Sequence, residues 1–110
     1  MGLTMNPIAD LNDRFRQGDQ TLGTWVLTMR VSALPADQKD KLLQLVKEFN
    51  AFTSDNDPHG EHDFGTVELE GDRYFWKIDY YDPTMQYLSD APDSPNATRR
   101  KLTLMHFSEY

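Results

Sequence analysis

Residues 24–31 alternate, with Trp25, Leu27, Met29 and Val31 on one side and Thr24, Val26, Thr28 and Arg30 on the other. A period of two rich in β-branched residues predicts a half-buried strand. Ahead of it, Asn6-Pro7 supplies a cap and a preferred first-turn residue, and Ile8, Leu11 and Phe15 recur at helical spacing until Gly18. This predicts a short helix. Behind it, Pro35 opens a second helix to about Phe49, with Leu42, Leu43, Leu45, Val46 and Phe49 as one apolar stripe and Lys39, Asp40, Lys41, Lys47 and Glu48 largely outside. Such a stripe is expected to cover one face of a sheet.

Two further runs, Phe64 to Glu70 and Arg73 to Tyr81, flank Gly71-Asp72, a pair suited to the positive φ of a two-residue hairpin turn. With that pair as the turn, Leu69 faces Tyr74, Val67 faces Trp76 and Gly65 faces Ile78, all towards the core. Asp82-Pro83 ends the strand, residues 84–88 suit a helical turn, and Pro92, Pro95 and Asn96 mark a mobile connection. A last strand, about Arg99 to Phe107, alternates Leu102, Leu104 and His106 against Thr103, Met105 and Phe107. The expected fold is one α+β domain over residues 1–110. Its antiparallel sheet has about four strands with two principal helices packed on it, in the order α-β-α-β-β-β, and residues 1–6 and 89–97 are flexible.

Composition narrows the class. The chain of 110 residues holds 38% hydrophobic residues and thirteen aromatics, enough for one core. No apolar run approaches the roughly 18 residues that cross a bilayer, and no basic-then-apolar leader opens the sequence, so a cytoplasmic protein without a membrane partner is expected. With no cysteine, disulfides, thiolate zinc sites and cysteine nucleophiles are excluded.

Charge changes the picture most. Residues 51–94 contain eleven of the eighteen Asp and Glu but only Arg73 and Lys77 of the eleven Lys and Arg, a local charge of −9 against +2 for the remainder. A field of that sign disfavours direct contact with nucleic acid and steers basic partners. On the solvent side of the hairpin the alternation places Glu68, Glu70, Asp79, Lys77 and Arg73 among Phe64, Phe75 and Tyr81, an aromatic content that calls for cover by more chain or by a partner. Glu68 and Glu70, about 6.6 to 7 Å apart on a strand, make a short acidic ladder that Asp72 and the 55–63 loop extend. Glu68, Glu70, Asp72, Phe75, Asp79 and Tyr81 are the candidate partner-binding residues, with Tyr87 a further aromatic anchor. Asp79 is also expected to pair with Arg99, Arg100 or Lys101 on a neighbouring strand.

The loop before the hairpin is the one place suited to chemistry. Asp55, Asp57, His59, Glu61, His62 and Asp63 put two imidazoles and four carboxylates into nine residues. His59, Glu61, His62 and Asp63 form a candidate set for a divalent cation. The spacing matches neither an EF-hand loop nor a helical HExxH. Asx bonding within the turn and packing of the rings at the loop edge is the simpler expectation. Ser32, Ser54, Ser89, Ser94 and Ser108 lack the glycine-flanked setting of a hydrolase nucleophile, and no catalytic residue or cofactor is assigned. Trp25 and Trp76 are expected in the core.

The runs Asn56-Asp57-Pro58-His59-Gly60-Glu61-His62-Asp63-Phe64-Gly65 and Phe75-Trp76-Lys77-Ile78-Asp79-Tyr80-Tyr81-Asp82-Pro83 resemble the small proteins grouped as domain of unknown function 3768. Leu11-Asn12-Asp13-Arg14-Phe15-Arg16, Ala33-Leu34-Pro35 and Thr98-Arg99-Arg100 extend the resemblance over nearly the whole chain. The resemblance implies no activity. It implies genomic company on bacterial plasmids and other mobile elements, beside conjugation and anti-restriction genes. The expected function is therefore a non-enzymatic accessory protein with anti-CRISPR or anti-restriction action, mimicking nucleic-acid charge on a basic surface of a CRISPR effector or restriction nuclease. The alternatives are a metal-dependent enzyme using the 59–63 residues and a structural or regulatory dimer pairing through the final strand. Monomer and homodimer both remain open.

Overall fold

The computed structural model describes residues 6–110, and the first five residues of the 1–6 segment expected to be flexible lie outside it. The element order is α1 (Pro7–Arg16), β1 (Gly23–Leu27), α2 (Met29–Ser32), α3 (Ala36–Lys47), β2 (Phe64–Leu69), β3 (Asp72–Tyr81) and β4 (Arg99–His106), closed by a 3-10 turn at Phe107–Glu109. The α+β class stands, and no helix among the described residues is long and apolar enough to cross a membrane.

Helix α1 begins where the cap was read. The Asn6 carboxamide oxygen accepts from Ile8 N at 3.0 Å, while its amide donates to the Gly60 carbonyl at 3.0 Å, fastening the helix start to the distant loop. In α3 Leu42 and Val46 are fully buried, Leu43 packs partly against the core and Leu45 is exposed, while Phe49, just past the helix end at Lys47, also packs on the core. Together with Leu11, Phe15 and Val31 they cover Val67, Tyr74, Trp76, Ile78, Leu102 and Leu104 on the inner face of the sheet.

Four particulars differ from the expectation. The sheet runs β1-β4-β3-β2 and is mixed: β1 lies parallel to β4, and the other pairs are antiparallel. Consequently the final strand is central, not an edge available for dimer pairing, and the two edges are β1 and β2. The strand read over 24–31 ends at Leu27. Beyond it, the Glu109 carboxylate accepts from Thr28 Oγ1 at 2.6 Å and Arg30 N at 3.1 Å, supplying acceptors at the start of α2, a tertiary cap that overrides the local alternation.

The hairpin is shifted by two residues. Its turn is Glu70-Gly71, at φ 53° and 82°, so Leu69 pairs with Asp72, Val67 with Tyr74 and Gly65 with Trp76. Positive φ at both central residues matches the twist of the strands. A slip of two preserves the side-chain faces, so Val67, Tyr74, Trp76 and Ile78 still point inward. Gly65 is required by packing: a Cβ there would stand 2.6 Å from the indole nitrogen of Trp76.

The 82–98 connection is held by its own polar groups. Asp82 Oδ1 accepts from Thr84 N at 3.1 Å and Gln86 N at 3.2 Å, turning residues 84–88 back so that Leu88 bridges Tyr81. Thr98 Oγ1 donates to the Ala91 carbonyl at 2.7 Å, and Ser89 Oγ to that of Ala97 at 3.1 Å.

Candidate functional site

The 55–63 loop is built by its own side chains. Asp57 Oδ1 accepts from Glu61 N at 3.1 Å and His62 N at 3.2 Å, and Gly60 at φ 67° allows the chain to close on it. Asn56, rather than Asp55, completes the preceding turn by accepting from Thr53 N at 2.8 Å and donating to the Ala51 carbonyl at 2.9 Å.

Two polar branches tie this loop to the core. In the first, the His62 ring stacks flat on Phe52, centroids 4.0 Å apart, with Nδ1 2.9 Å from Asp13 Oδ1 and Nε2 3.7 Å from Asp57 Oδ2. Asp13 also accepts from Arg16 Nη2 at 2.9 Å, and Arg16 Nη1 donates to the carbonyls of Val46 at 3.1 Å and Lys47 at 3.0 Å, capping the end of α3. The buried Arg16 guanidinium lies 5.3 Å from the centre of the Trp76 ring.

In the second branch Tyr80 OH donates to Glu61 Oε1 at 2.8 Å and accepts from Asn12 Nδ2 at 2.9 Å. Asn12 Oδ1 accepts from Arg100 Nε at 2.6 Å, and Arg100 Nη2 donates to the Pro92 carbonyl at 2.6 Å. Burial raises the Tyr80 phenol far above its ordinary range, so it stays a donor, and burial lowers Arg100 while the nearby Glu61 charge opposes that shift. Asp63 is raised first by burial and then by the neighbouring charges of Glu61 and Asp57.

The candidate metal set is thus divided. His62 is held by Asp13 and Asp57, Glu61 by Tyr80, and His59 points outward with its carbonyl bonded to Asn6. Among the described residues no group of three or more His, Cys, Asp or Glu side chains is arranged to hold a metal ion. Asn12, Asp13, Arg16, Tyr80 and Arg100 complete the network and were not singled out as site residues from the sequence. The available signal was that Asn12 and Arg16 stand four apart beside Leu11 and Phe15, on the buried flank of α1.

The six candidate partner-binding residues separate into two groups. Glu68, Glu70 and Asp72 are exposed at the hairpin tip, whereas Phe75 is buried under Phe107 and Tyr110, ring centroids 5.4 and 4.8 Å away. The cover that this face demanded is therefore supplied largely by the chain's own end. Asp79 and Tyr81 are half-buried; Asp79 pairs with Lys77 at 3.3 Å and faces Lys101 in register, and the Lys101 ammonium lies 5.5 Å from the Tyr81 ring centre. The outer sheet face thus carries Arg73, Lys77 and Lys101 against Glu68 and Asp79. An uninterrupted acidic sheet face is not what the sequence builds, because Lys101 of β4 and the hairpin's own Arg73 and Lys77 stand between the acidic residues; the acidic surface contracts to the hairpin tip.

That tip is clamped. His106 Nε2 lies 3.1 Å from Asp72 Oδ1, and Nδ1 lies 3.0 Å from Ser108 N and 2.8 Å from Ser108 Oγ. This brings Ser, His and Asp into one line, an arrangement for which the sequence offered only composition. Nδ1 has one lone pair, and the Ser108 backbone N–H uses it to cap the closing turn, with Glu109 Oε1 accepting from His106 N at 2.9 Å in return. The histidine therefore holds Asp72 and the chain end together.

Residues 27–109 match a family model described as "Protein of unknown function (DUF3768)". The chain belongs to this family. The matched range includes the loop, the hairpin and Arg100 of this DUF3768 chain, while α1, with Asn12, Asp13 and Arg16, precedes it. No curated protein and no solved structure matches the chain.

One pH effect follows for the DUF3768 loop. A carboxyl raised in the folded state binds more protons folded than unfolded, so its contribution is full below the ordinary Asp range and is lost as pH rises through the raised value. Asp63→Asn is expected to stabilise the chain at neutral pH, with the gain shrinking towards pH 3. Urea unfolding of both proteins across that range measures it, and a gain independent of pH contradicts the assignment.

Proposed function

We propose that this DUF3768 chain is a non-enzymatic binding protein that docks its acidic hairpin tip on a basic surface of a protein partner. The observation that carries this reading is Glu70. It projects from the exposed tip at φ 53°, a left-handed conformation costing a non-glycine residue about 1 to 2 kcal/mol, where Asn or Gly would make the same turn more cheaply. Strain retained at an exposed charged residue points to use rather than folding. Glu68 and Asp72 flank it, and the His106 clamp pre-organises Asp72, reducing the ordering cost of docking.

The loop supports a binding role differently: its His62 imidazole and Glu61 carboxylate are spent on joining it to α1 and β3, whereas the hairpin tip presents its charges outward. In the mobile-element setting that the family resemblance implies, the partner is a nucleic-acid-directed defence enzyme, a CRISPR effector or restriction nuclease, and the tip occupies part of its phosphate-binding surface. Carboxylates there supply long-range attraction that salt screens.

Immobilised chain is expected to capture such an enzyme from host lysate at low salt and to reduce its nucleic-acid cleavage. Glu68→Lys combined with Glu70→Lys should abolish both. Retention of capture by the double variant, or capture insensitive to salt, contradicts the proposal.

A further inference from the structure

We infer that the β1 edge is a second binding site, for an extended peptide of a partner protein that carries an apolar and an acidic residue two positions apart. Thr28 N donates to Leu104 O, and Leu22 O accepts from Arg100 N. In a parallel pair the bonding residues alternate, so the even-numbered residues of β1 bond to β4. The N–H and C=O of Trp25 and the N–H of Leu27, beyond the buried Gly23, therefore face outward along an open edge, the template that strand addition uses.

Beside that edge lies a cavity of about 590 Å³, where α1 and α3 stop short of covering the inner side of β1. Phe15, Trp25, Leu27 and Leu43 form its apolar wall, a receptacle for alternate side chains of an added strand. Its charged lining consists of Lys47 and Arg99. Arg99 is positioned by a bond from Nη1 to the Thr21 carbonyl at 2.8 Å, and the Lys47 side chain is exposed. Backbone edge, apolar slot and paired cations select an extended segment bearing a carboxylate. The site lies at the sheet edge opposite the hairpin and has the opposite charge, so it stands or falls independently of the acidic tip.

The full ¹⁵N-labelled chain is titrated with acetyl-Thr-Ile-Thr-Asp-Thr-amide, whose Ile and Asp share one face of an extended strand, and followed by NMR. Shifts are expected at the Trp25 and Leu27 amides and at the Trp25 indole. Replacing the peptide's Asp by Lys, or using the Lys47→Glu chain with its dispersed spectrum intact, should weaken binding roughly tenfold. No shift in β1 at millimolar peptide overturns the inference, as does equal binding of the Asp and Lys peptides. The same shifts on concentrating the chain without peptide would assign the edge to a second copy and also overturn it.

Discussion

Arg100→Ala is expected to lower the unfolding free energy by about 3 to 5 kcal/mol. Arg100 is fully buried in β4, and its removal strands Asn12 Oδ1 and the Pro92 carbonyl, at about 1 to 3 kcal/mol each, besides losing the buried stem. Asn12 then loses its orientation towards Tyr80 and the Glu61 carbonyl, so the loop loosens along with the connection at Pro92. Arg100→Lys should recover little, because a single ammonium does not span the two acceptors that the fork reaches. Urea midpoints measure both variants. A loss below about 1 kcal/mol for the alanine variant would mean that the network contributes little to the fold.

Trp76→Ala should cost a similar amount, about 3 to 5 kcal/mol, by opening a cavity where no solvent reaches the indole. The ring is packed on by Phe49 and Phe52 at centroid distances of 5.5 and 6.1 Å, with the Arg16 guanidinium over it. A second substitution makes the packing argument specific. Gly65→Ala forces a Cβ against the Trp76 indole nitrogen in the native chain, and the clash disappears once the indole is gone. The double variant should therefore be more stable than the sum of the two losses predicts. Additive losses would show that Gly65 matters for some reason other than Trp76.

Periodicity made much of this fold legible and left its non-local choices hidden. The stripe of α3, Leu45 apart, and the alternation of β4 read correctly because burial on one face imposes a period whatever the neighbour is. The same alternation does not say which strand pairs with which, and β4 entering between β1 and β3 is what made the sheet mixed. The hairpin misled by two residues because Gly71-Asp72 has better turn chemistry than Glu70-Gly71, and the chain adopts the latter with a strained Glu70. Residue types in the 55–63 loop were visible, whereas their partners Asn12, Asp13, Tyr80 and Arg100 come from three other elements. Hydrogen bonds across 49 to 88 residues leave no local signature.

Glu70→Asn separates folding from function in a single substitution. Asn accepts the left-handed turn readily, so the variant should gain up to about 1 kcal/mol and melt a few degrees higher, while losing one carboxylate from the tip. Thermal unfolding and partner capture are measured on the same preparation. The expected result is a higher melting temperature together with capture weakened roughly tenfold. Undiminished capture by the stabilised variant would contradict a binding role for the hairpin tip.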